Sequence, residues 1–227
     1  MKTTSMLFNA PMVRALLDGS KVQTRRVMKP QPEPIPGEPG KHWWPSNAAQ
    51  SMMRVEDSFQ KHPGIFDDAC PHGAPGDRIW VRETWRTDAS LDAKPPRDFS
   101  GWPVKYEADG TALRHGAHFG KTDGKTRVSI HMPLWASRIM LEIISVRVER
   151  LNDCSAADAT AEGVAPDQVR QISVFGANDV ERAAIYRRAA IAPYERIWES
   201  INGAGSWAAN PWVWGIEFKQ VPQHHEK

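Results

Sequence analysis

The junction between a short helix and a strand near the N-terminus constrains the fold of this chain most strongly. Asn9 followed by Pro11 predicts a helix start. The helix then carries a short apolar stripe, formed by Val13, Leu16 and Leu17. Gly19 follows as the residue expected to end the helix in a left-handed conformation. The next stretch, Val22 to Met28, is β-branched and alternating, which predicts a strand.

The segment Gly19-Ser-Lys-Val-Gln-Thr-Arg-Arg26 at this junction contains residues that can perform chemistry. Threonine is a poor nucleophile unless a base takes its proton, and a lysine can be that base if its pKa is lowered. Lys21 and Thr24 therefore form a candidate nucleophilic site at the turn between helix and strand. A surface turn rich in solvated cations is the alternative interpretation of the same segment.

The composition is that of an ordinary soluble protein and predicts a single domain over residues 1–227. Its 227 residues are 41% hydrophobic and 25% charged, which allows a sizeable core. Two cysteines favour a reducing compartment. The N-terminus has no apolar signal-peptide run, and no segment approaches the roughly 20 apolar residues of a membrane span. We therefore expect a cytoplasmic protein without a membrane partner.

The charge balance argues against a protein that grips a long nucleic-acid backbone. The chain has 29 basic and 27 acidic residues, so its net charge is only +2. A single nucleoside or a short RNA remains a possible ligand, because arginines cluster locally. Ten tryptophans could provide core packing or flat faces on which bases stack.

The hydrophobic pattern along the rest of the chain predicts an α+β fold with a curled or closed sheet. Strands are expected over four segments: Ile79–Val81, Val104–Glu107, Ile139–Val148 and Trp212–Val221. Helices are expected over Ala156–Ala161, capped by Ser155 and Asp158, and over Asp179–Ile201, with Pro193 as a kink or break. Asp109-Gly110 and Asp123-Gly124 are turn signals of the hairpin kind.

Four separated blocks, about half of the chain, resemble the ASCH superfamily, small β-barrels related to the PUA RNA-binding fold. The first is the Gly-x-Lys-x-x-Thr-x-Arg segment after the first helix. The others are Pro75-Gly-Asp-Arg-Ile-Trp-Val-Arg-Glu-Thr-Trp85, the strand and helix from Arg138 to Gly163, and Asn210-Pro-Trp-Val-Trp-Gly-Ile-Glu-Phe218. The whole pattern is similar to that of phage and prophage ASCH proteins. The resemblance implies a PUA-like barrel of about five to six strands with flanking helices.

The resemblance also implies an insertion, and the composition predicts a C-terminal tail. Minimal members of the family are much shorter, so residues 29–75 are expected to be an insertion rather than a second domain. Five prolines between Lys29 and Gly40 exclude helix and interior strand there. The polar C-terminal segment, from about residue 222 and including His224 and His225, is expected to be a mobile tail.

The threonine version of the family segment is similar to that of small bacterial enzymes that deacylate N4-acetylcytidine. By this resemblance Thr24 is the nucleophile, Lys21 its lysine partner and Glu162, in Ala159-Thr-Ala-Glu-Gly163, the acid. Lys21 is either a base whose pKa has been lowered or a charged group that stabilises the oxyanion. The conjugated exocyclic amine of cytosine is a better leaving group than an alkylamine, which suits such a modest site.

Other residues are candidates for binding the nucleoside. Arg26 shares a strand face with Thr24 and could hold the substrate or Glu162. Glu83 is either paired with an arginine or a second carboxylate at the site. The remaining predicted substrate-binding residues are Trp85, Trp135 and Arg138. No cofactor or metal is expected, because Cys70-Pro-His72 lacks a second pair of ligands.

Two other functions fit the same residues. The first is an RNA- or DNA-binding module of the PUA-like type, or a ribonuclease, which would use the arginine clusters and tryptophans. The second is a phage accessory protein that recognises a modified base without chemistry. The sequence leaves the oligomeric state open.

Overall fold

The computed structural model describes residues 1–45, 54–57, 64, 69–113, 123–164 and 178–222. These residues form a mixed α+β structure, as predicted. Ile65 and Phe66 and the C-terminal tail with His224 and His225 lie outside the described residues. Among the helices that are described, none is both long enough and apolar enough to cross a membrane.

The main sheet has five strands in the order β1-β5-β9-β10-β2. Their bounds are β1, Thr3–Leu7; β2, Gln23–Val27; β5, Arg78–Arg82; β9, Met140–Arg150; and β10, Trp212–Val221. β1 and β5 are parallel, whereas β5–β9 and β10–β2 are antiparallel pairs. Within the described residues the order has β1 and β2 at its two ends, so a closed barrel stays a prediction.

Two smaller sheets complete the β-structure. The first pairs β3, Glu33–Pro34, with β4, His42–Trp43, inside the proline-rich region. The second contains β6, Trp85–Arg86, β7, Val104–Tyr106, and β8, Ala112–Leu113, in that order. Asp109-Gly110 connects β7 to β8, which confirms the predicted hairpin there. Asp123-Gly124 instead lies beside Asp88, with which Asp123 forms an isolated bridge.

Three α-helices are described, and their ends follow the predicted signals. α1 spans Ala10–Leu17 and is followed by Gly19 at φ 79°. α2 spans Ala156–Ala161, with Ser155 and Asp158 forming the expected capping box. α3 spans Asp179–Asn202 and continues through Pro193. Of the predicted kink or break at Pro193, the break is therefore wrong and the kink stays a prediction.

The chain divides into two compact units, each with its own core. The N-terminal unit comprises Met1–Gly19, Gly76–Ile143 and Phe218–Lys227, and the second comprises Ser20–Pro75 and Ile144–Glu217. The core of the N-terminal unit includes Trp80, Trp85, Leu91, Phe99, Val104, Tyr106, Met132 and Ala136. The core of the second unit includes Leu151, Cys154, Ala159, Val164, Tyr194, Trp198 and Val213. β9 and β10 each contribute residues to both units.

Candidate functional site

Strand β2 sets the orientation of the predicted catalytic segment. It pairs antiparallel with β10, so that Thr24 lies opposite Ile216 and Arg25 opposite Gly215. Side chains alternate along a strand, which places Gln23 and Arg25 on one face and Thr24 and Arg26 on the other. The two neighbouring arginines of this segment therefore have different surroundings.

The end of α2 brings Glu162 to the start of β2. Lys21 and Glu162 form an isolated antiparallel bridge, and the amide of Val22 donates to the carbonyl of Ala161 at 2.9 Å. Glu162 is the C-terminal cap residue of α2, and Gly163 leaves the helix at φ 88°. Only a residue without Cβ adopts this left-handed conformation readily, so the glycine helps to end the helix at Glu162.

Lys21 and Glu162 form a buried ion pair. Lys21 Nζ lies 2.6 Å from Glu162 Oε2, and their side chains are 0% and 1% exposed. The same amine donates to the carbonyl oxygens of Gln23 at 2.8 Å and Glu162 at 3.0 Å. Burial lowers the pKa of Lys21, although the Glu162 carboxylate raises it in part. The lysine is thus poised to lose its proton more easily than a free lysine.

The second carboxylate oxygen of Glu162 has its own donors. Tyr194 of α3 donates its hydroxyl proton to Oε1 at 3.0 Å, and Arg25 Nη1 lies 3.3 Å from the same oxygen. Arg25 also pairs with Glu149 at 2.8 Å and with Asp158 at 3.2 Å. Both oxygens of this carboxylate are therefore held by protein donors.

Thr24 is buried, is not hydrogen-bonded to Lys21 and, by strand alternation, lies on the face of β2 opposite to Gln23 and Arg25. The residue is 1% exposed. In the described residues no hydrogen bond joins Lys21 Nζ to the Thr24 hydroxyl. An ammonium has three N–H donors, and three acceptors from Gln23 and Glu162 already lie within reach of Lys21. A connection through one water molecule stays a prediction, as does the nucleophilic role of Thr24.

Arg26 lies on the face of β2 that it shares with Thr24. Burial lowers the pKa of Arg26, with a smaller opposing effect of Glu162. Glu162 forms ion pairs with Lys21 and Arg25. Both roles predicted for Arg26, contact with the substrate or with Glu162, stay predictions.

The remaining predicted site residues, Glu83, Trp85, Trp135 and Arg138, belong to the N-terminal unit. Arg138 holds Glu83 with two hydrogen bonds, at 2.8 and 2.9 Å, so the arginine-paired alternative for Glu83 is correct. Burial raises the pKa of Glu83, while Arg138 opposes this shift. Trp85 is fully buried, and Trp135 packs edge-on against it at 6.0 Å. Nucleoside binding by these four residues stays a prediction.

Arg138 is the centre of a polar cluster in that unit. Its Nη1 donates to Asp109 Oδ2 at 2.8 Å, and its guanidinium lies 4.0 Å from the ring centroid of Tyr106. Burial opposes ionisation of Asp109, but hydrogen bonds from Arg138 and Thr111 lower its pKa to about 2. Because these charged side chains pair with one another, the cluster is suited to fixing the positions of the segments that carry them.

A cavity of about 340 Å³ lies along α3 in the second unit. Its wall includes Asn152, Arg187, Arg188, Glu195 and Trp207. Trp207 also packs edge-on against Tyr194, with ring centroids 5.8 Å apart. The wall of the cavity thus combines one aromatic, two basic and one acidic residue.

Lys21, Arg25 and Tyr194 contact the Glu162 carboxylate and together with it form what we call the carboxylate network. Two of these residues, Arg25 and Tyr194, were not predicted from the sequence. Arg25 could have been found, because it shares the alternation of Lys21 and Gln23. Tyr194 carries no such signal, since Tyr186 lies eight residues earlier in the same helical pattern. Only the packing of α3 distinguishes the two tyrosines.

Comparisons with protein-family models, curated proteins and solved structures returned no match.

Proposed function

We propose that this protein is an amidohydrolase that removes the acyl group from N4 of an acylated cytosine nucleoside such as N4-acetylcytidine. The observation that carries the proposal is the buried Lys21–Glu162 pair, closed at 2.6 Å next to the strand that bears Thr24. Burial lowers the pKa of Lys21, which is the direction that a general base requires. In this proposal Lys21 acts as the base.

The reaction would proceed through an acyl-enzyme. The Thr24 hydroxyl oxygen bonds to the acyl carbon while neutral Lys21 takes the hydroxyl proton through one water molecule. The bond between the acyl carbon and N4 then breaks, and cytidine leaves. Water hydrolyses the threonine ester, which releases the carboxylic acid and restores Thr24.

Glu162 would return the proton to the leaving group. The Lys21 ammonium formed in the first step can pass one proton to Glu162 Oε2 across the 2.6 Å contact. Glu162 then protonates N4 as it departs, so that the pair ends in its starting state with a neutral amine and a carboxylate. Arg26, on the Thr24 side of β2, would bind the nucleoside or the developing oxyanion.

The ASCH-like barrel belongs to the same proposal. Gly76-Asp77 leads directly into β5, and the predicted closing strand coincides with β10 over Trp212–Val221. A sheet of five strands agrees with the five to six that the resemblance implies. The catalytic segment, Lys21 to Arg26, spans the turn and β2 at one end of the strand order.

A second candidate function is binding of short RNA or DNA, which the cavity along α3 favours. Trp207 could stack on a base, and Arg187 and Arg188 could contact phosphates. A binding module would retain a fluorescent oligonucleotide, and Arg187→Glu would weaken that binding. Such a protein would release no cytidine.

One assay distinguishes the two functions. The purified chain is incubated with N4-acetylcytidine and, separately, with a short RNA, and both reactions are followed by chromatography. Release of cytidine and acetate with intact RNA is the expected result. RNA fragmentation would indicate a ribonuclease, and RNA binding without any product would indicate the binding module; either outcome without cytidine release overturns the proposal.

A further inference from the structure

Tyr194 is the least expected member of the carboxylate network. It lies in α3, 32 residues beyond Glu162, and its hydroxyl donates to Glu162 Oε1 at 3.0 Å. The residue is only 2% exposed, so water does not compete freely for this contact. Its ring packs edge-on against Trp198 and Trp207, at 6.4 and 5.8 Å, which restricts its orientation.

The Tyr194 hydroxyl stays protonated. Burial, together with the neighbouring Glu162 carboxylate, raises the pKa of Tyr194 well above its usual value. The phenol therefore keeps its proton at every pH at which the protein would work, and the hydroxyl always donates. Lys21, on the opposite carboxylate oxygen, is the partner whose protonation can change.

The charges around the pair come from several elements. Arg25 and Arg26 of β2 are the neighbouring cations, and Asp158 of α2 and Glu149 of β9 are the neighbouring anions. The buried thiol of Cys154 faces the same carboxylate, and burial raises its pKa to about 12, so it stays neutral. Apart from Lys21, the donors on the Glu162 carboxylate within the described part of the chain are thus Tyr194 and Arg25.

We infer that Tyr194 is a positioning residue whose hydroxyl holds the Glu162 carboxylate while Lys21 is without its proton. This inference rests on the proposed function and deepens it. When Lys21 becomes neutral, the carboxylate loses its ammonium partner and depends on Tyr194 and on Arg25, which is 0.3 Å farther away (3.3 against 3.0 Å). Without the hydroxyl, the buried carboxylate would need the ammonium more, so Lys21 would retain its proton to higher pH.

The variant that tests this is Tyr194→Phe, because it removes the hydroxyl and keeps the aromatic ring. We expect the limb of the kcat profile that rises with pH to move upward by about one unit, since a hydrogen bond to a charged group is of that strength. At a pH below the midpoint of this limb, kcat of the variant should be about tenfold lower than that of the wild type, while KM for N4-acetylcytidine stays within about twofold. A merely structural role would change stability but not the position of the limb.

Tyr186→Phe is the matched control. Tyr186 is two turns earlier in α3 and 43% exposed, and its hydroxyl has no partner among the described residues. The control makes the same chemical change, yet it should leave the pH profile unchanged. Superposable profiles for Tyr194→Phe and the wild type would overturn the inference.

A direct measurement separates this inference from the proposed reaction. Titration of the Lys21 Nζ signal in ¹⁵N-lysine-labelled protein, assigned with Lys21→Met, reports deprotonation without any turnover. Its midpoint should rise in Tyr194→Phe even if the wild type proves inactive on N4-acetylcytidine. An unchanged midpoint would overturn the positioning role, whereas a raised midpoint in an inactive protein would overturn only the proposed function.

A second perturbation retains the Tyr194 hydroxyl. Incorporation of 3-fluorotyrosine makes each phenol a stronger donor and keeps both the ring and the hydroxyl, and the chain has only three tyrosines. The Lys21 midpoint should then shift downward, opposite to the effect of Tyr194→Phe. A shift in the same direction, or none, would contradict the inference.

Discussion

Lys21 and Glu162 are 141 positions apart in the chain, yet their side chains meet at 2.6 Å in a buried ion pair. A backbone bridge between the same two residues holds the contact in place. The pair therefore belongs to the folded core of its unit as well as to the proposed site. Its removal should affect both stability and activity.

The first prediction concerns stability. Lys21→Met or Glu162→Leu should each lower the free energy of unfolding by about 3–5 kcal/mol, because each removes one partner of a buried ion pair. Urea unfolding of the double variant should show a smaller loss than the sum of the two. Strictly additive losses would mean that the two charges do not stabilise each other.

The second prediction concerns kcat in variants of Lys21 and Glu162. Glu162→Gln keeps the shape of the side chain but cannot relay a proton, so kcat should fall by roughly 10²–10⁴-fold. Lys21→Ala should be nearly as damaging as loss of Thr24, because residues that act as one unit are not additive. Rates are measured only on protein that is folded by circular dichroism. Near-wild-type kcat in folded Glu162→Gln would exclude the carboxylate from the reaction.

A third prediction follows from His72. Burial, reinforced by Arg26, lowers its pKa to about 4 from the ordinary value of 6.5. The unfolded chain then binds a proton in this window that the folded protein does not, so stability falls as the pH is lowered from 6.5 to 4. His72→Gln should remove this contribution. The difference in unfolding free energy between the two proteins, measured in urea across the window, should change with pH; a constant difference would contradict the assignment.

The fourth prediction concerns Gly124, where the backbone of the N-terminal unit approaches itself closely. A Cβ added there would lie 2.6 Å from Asp92 Oδ1 and 2.7 Å from the carbonyl oxygen of Thr87. Gly124→Ala should therefore cost about 1–3 kcal/mol of unfolding free energy. Asp123→Ala, which removes a partly exposed ion pair with Lys105, should cost less than about 1 kcal/mol. Equal losses for the two variants would show that the loop moves to admit the new methyl group.

Local signals in the sequence predicted most of the elements around the site. The bounds of β10 and the start of α3 agree with the expected ones, because strong apolar patterns and capping residues define them. Gly19 and Gly163 end their helices in the left-handed conformation, as glycine allows. These features depend on neighbours in the sequence and can be recognised without the fold.

Contacts between distant segments were harder to predict. The donation from Tyr194 to Glu162 depends on how α3 packs, and two tyrosines in that helix satisfy the same periodicity. Asp123-Gly124 looked like a hairpin turn, but its glycine is required by the proximity of Thr87 and Asp92. In each case the deciding partner lies far away in the sequence or in a different loop.

The central claim is that Thr24 is the nucleophile of a deacylation reaction, and its most direct test is cytidine release from N4-acetylcytidine by three proteins. Thr24→Ala should release none, whereas Thr24→Ser should retain part of the wild-type rate because it keeps the hydroxyl and loses only a methyl group. Both variants should remain folded, since neither introduces a charge or a larger side chain into this buried position. Release of cytidine by Thr24→Ala at the wild-type rate would contradict the account.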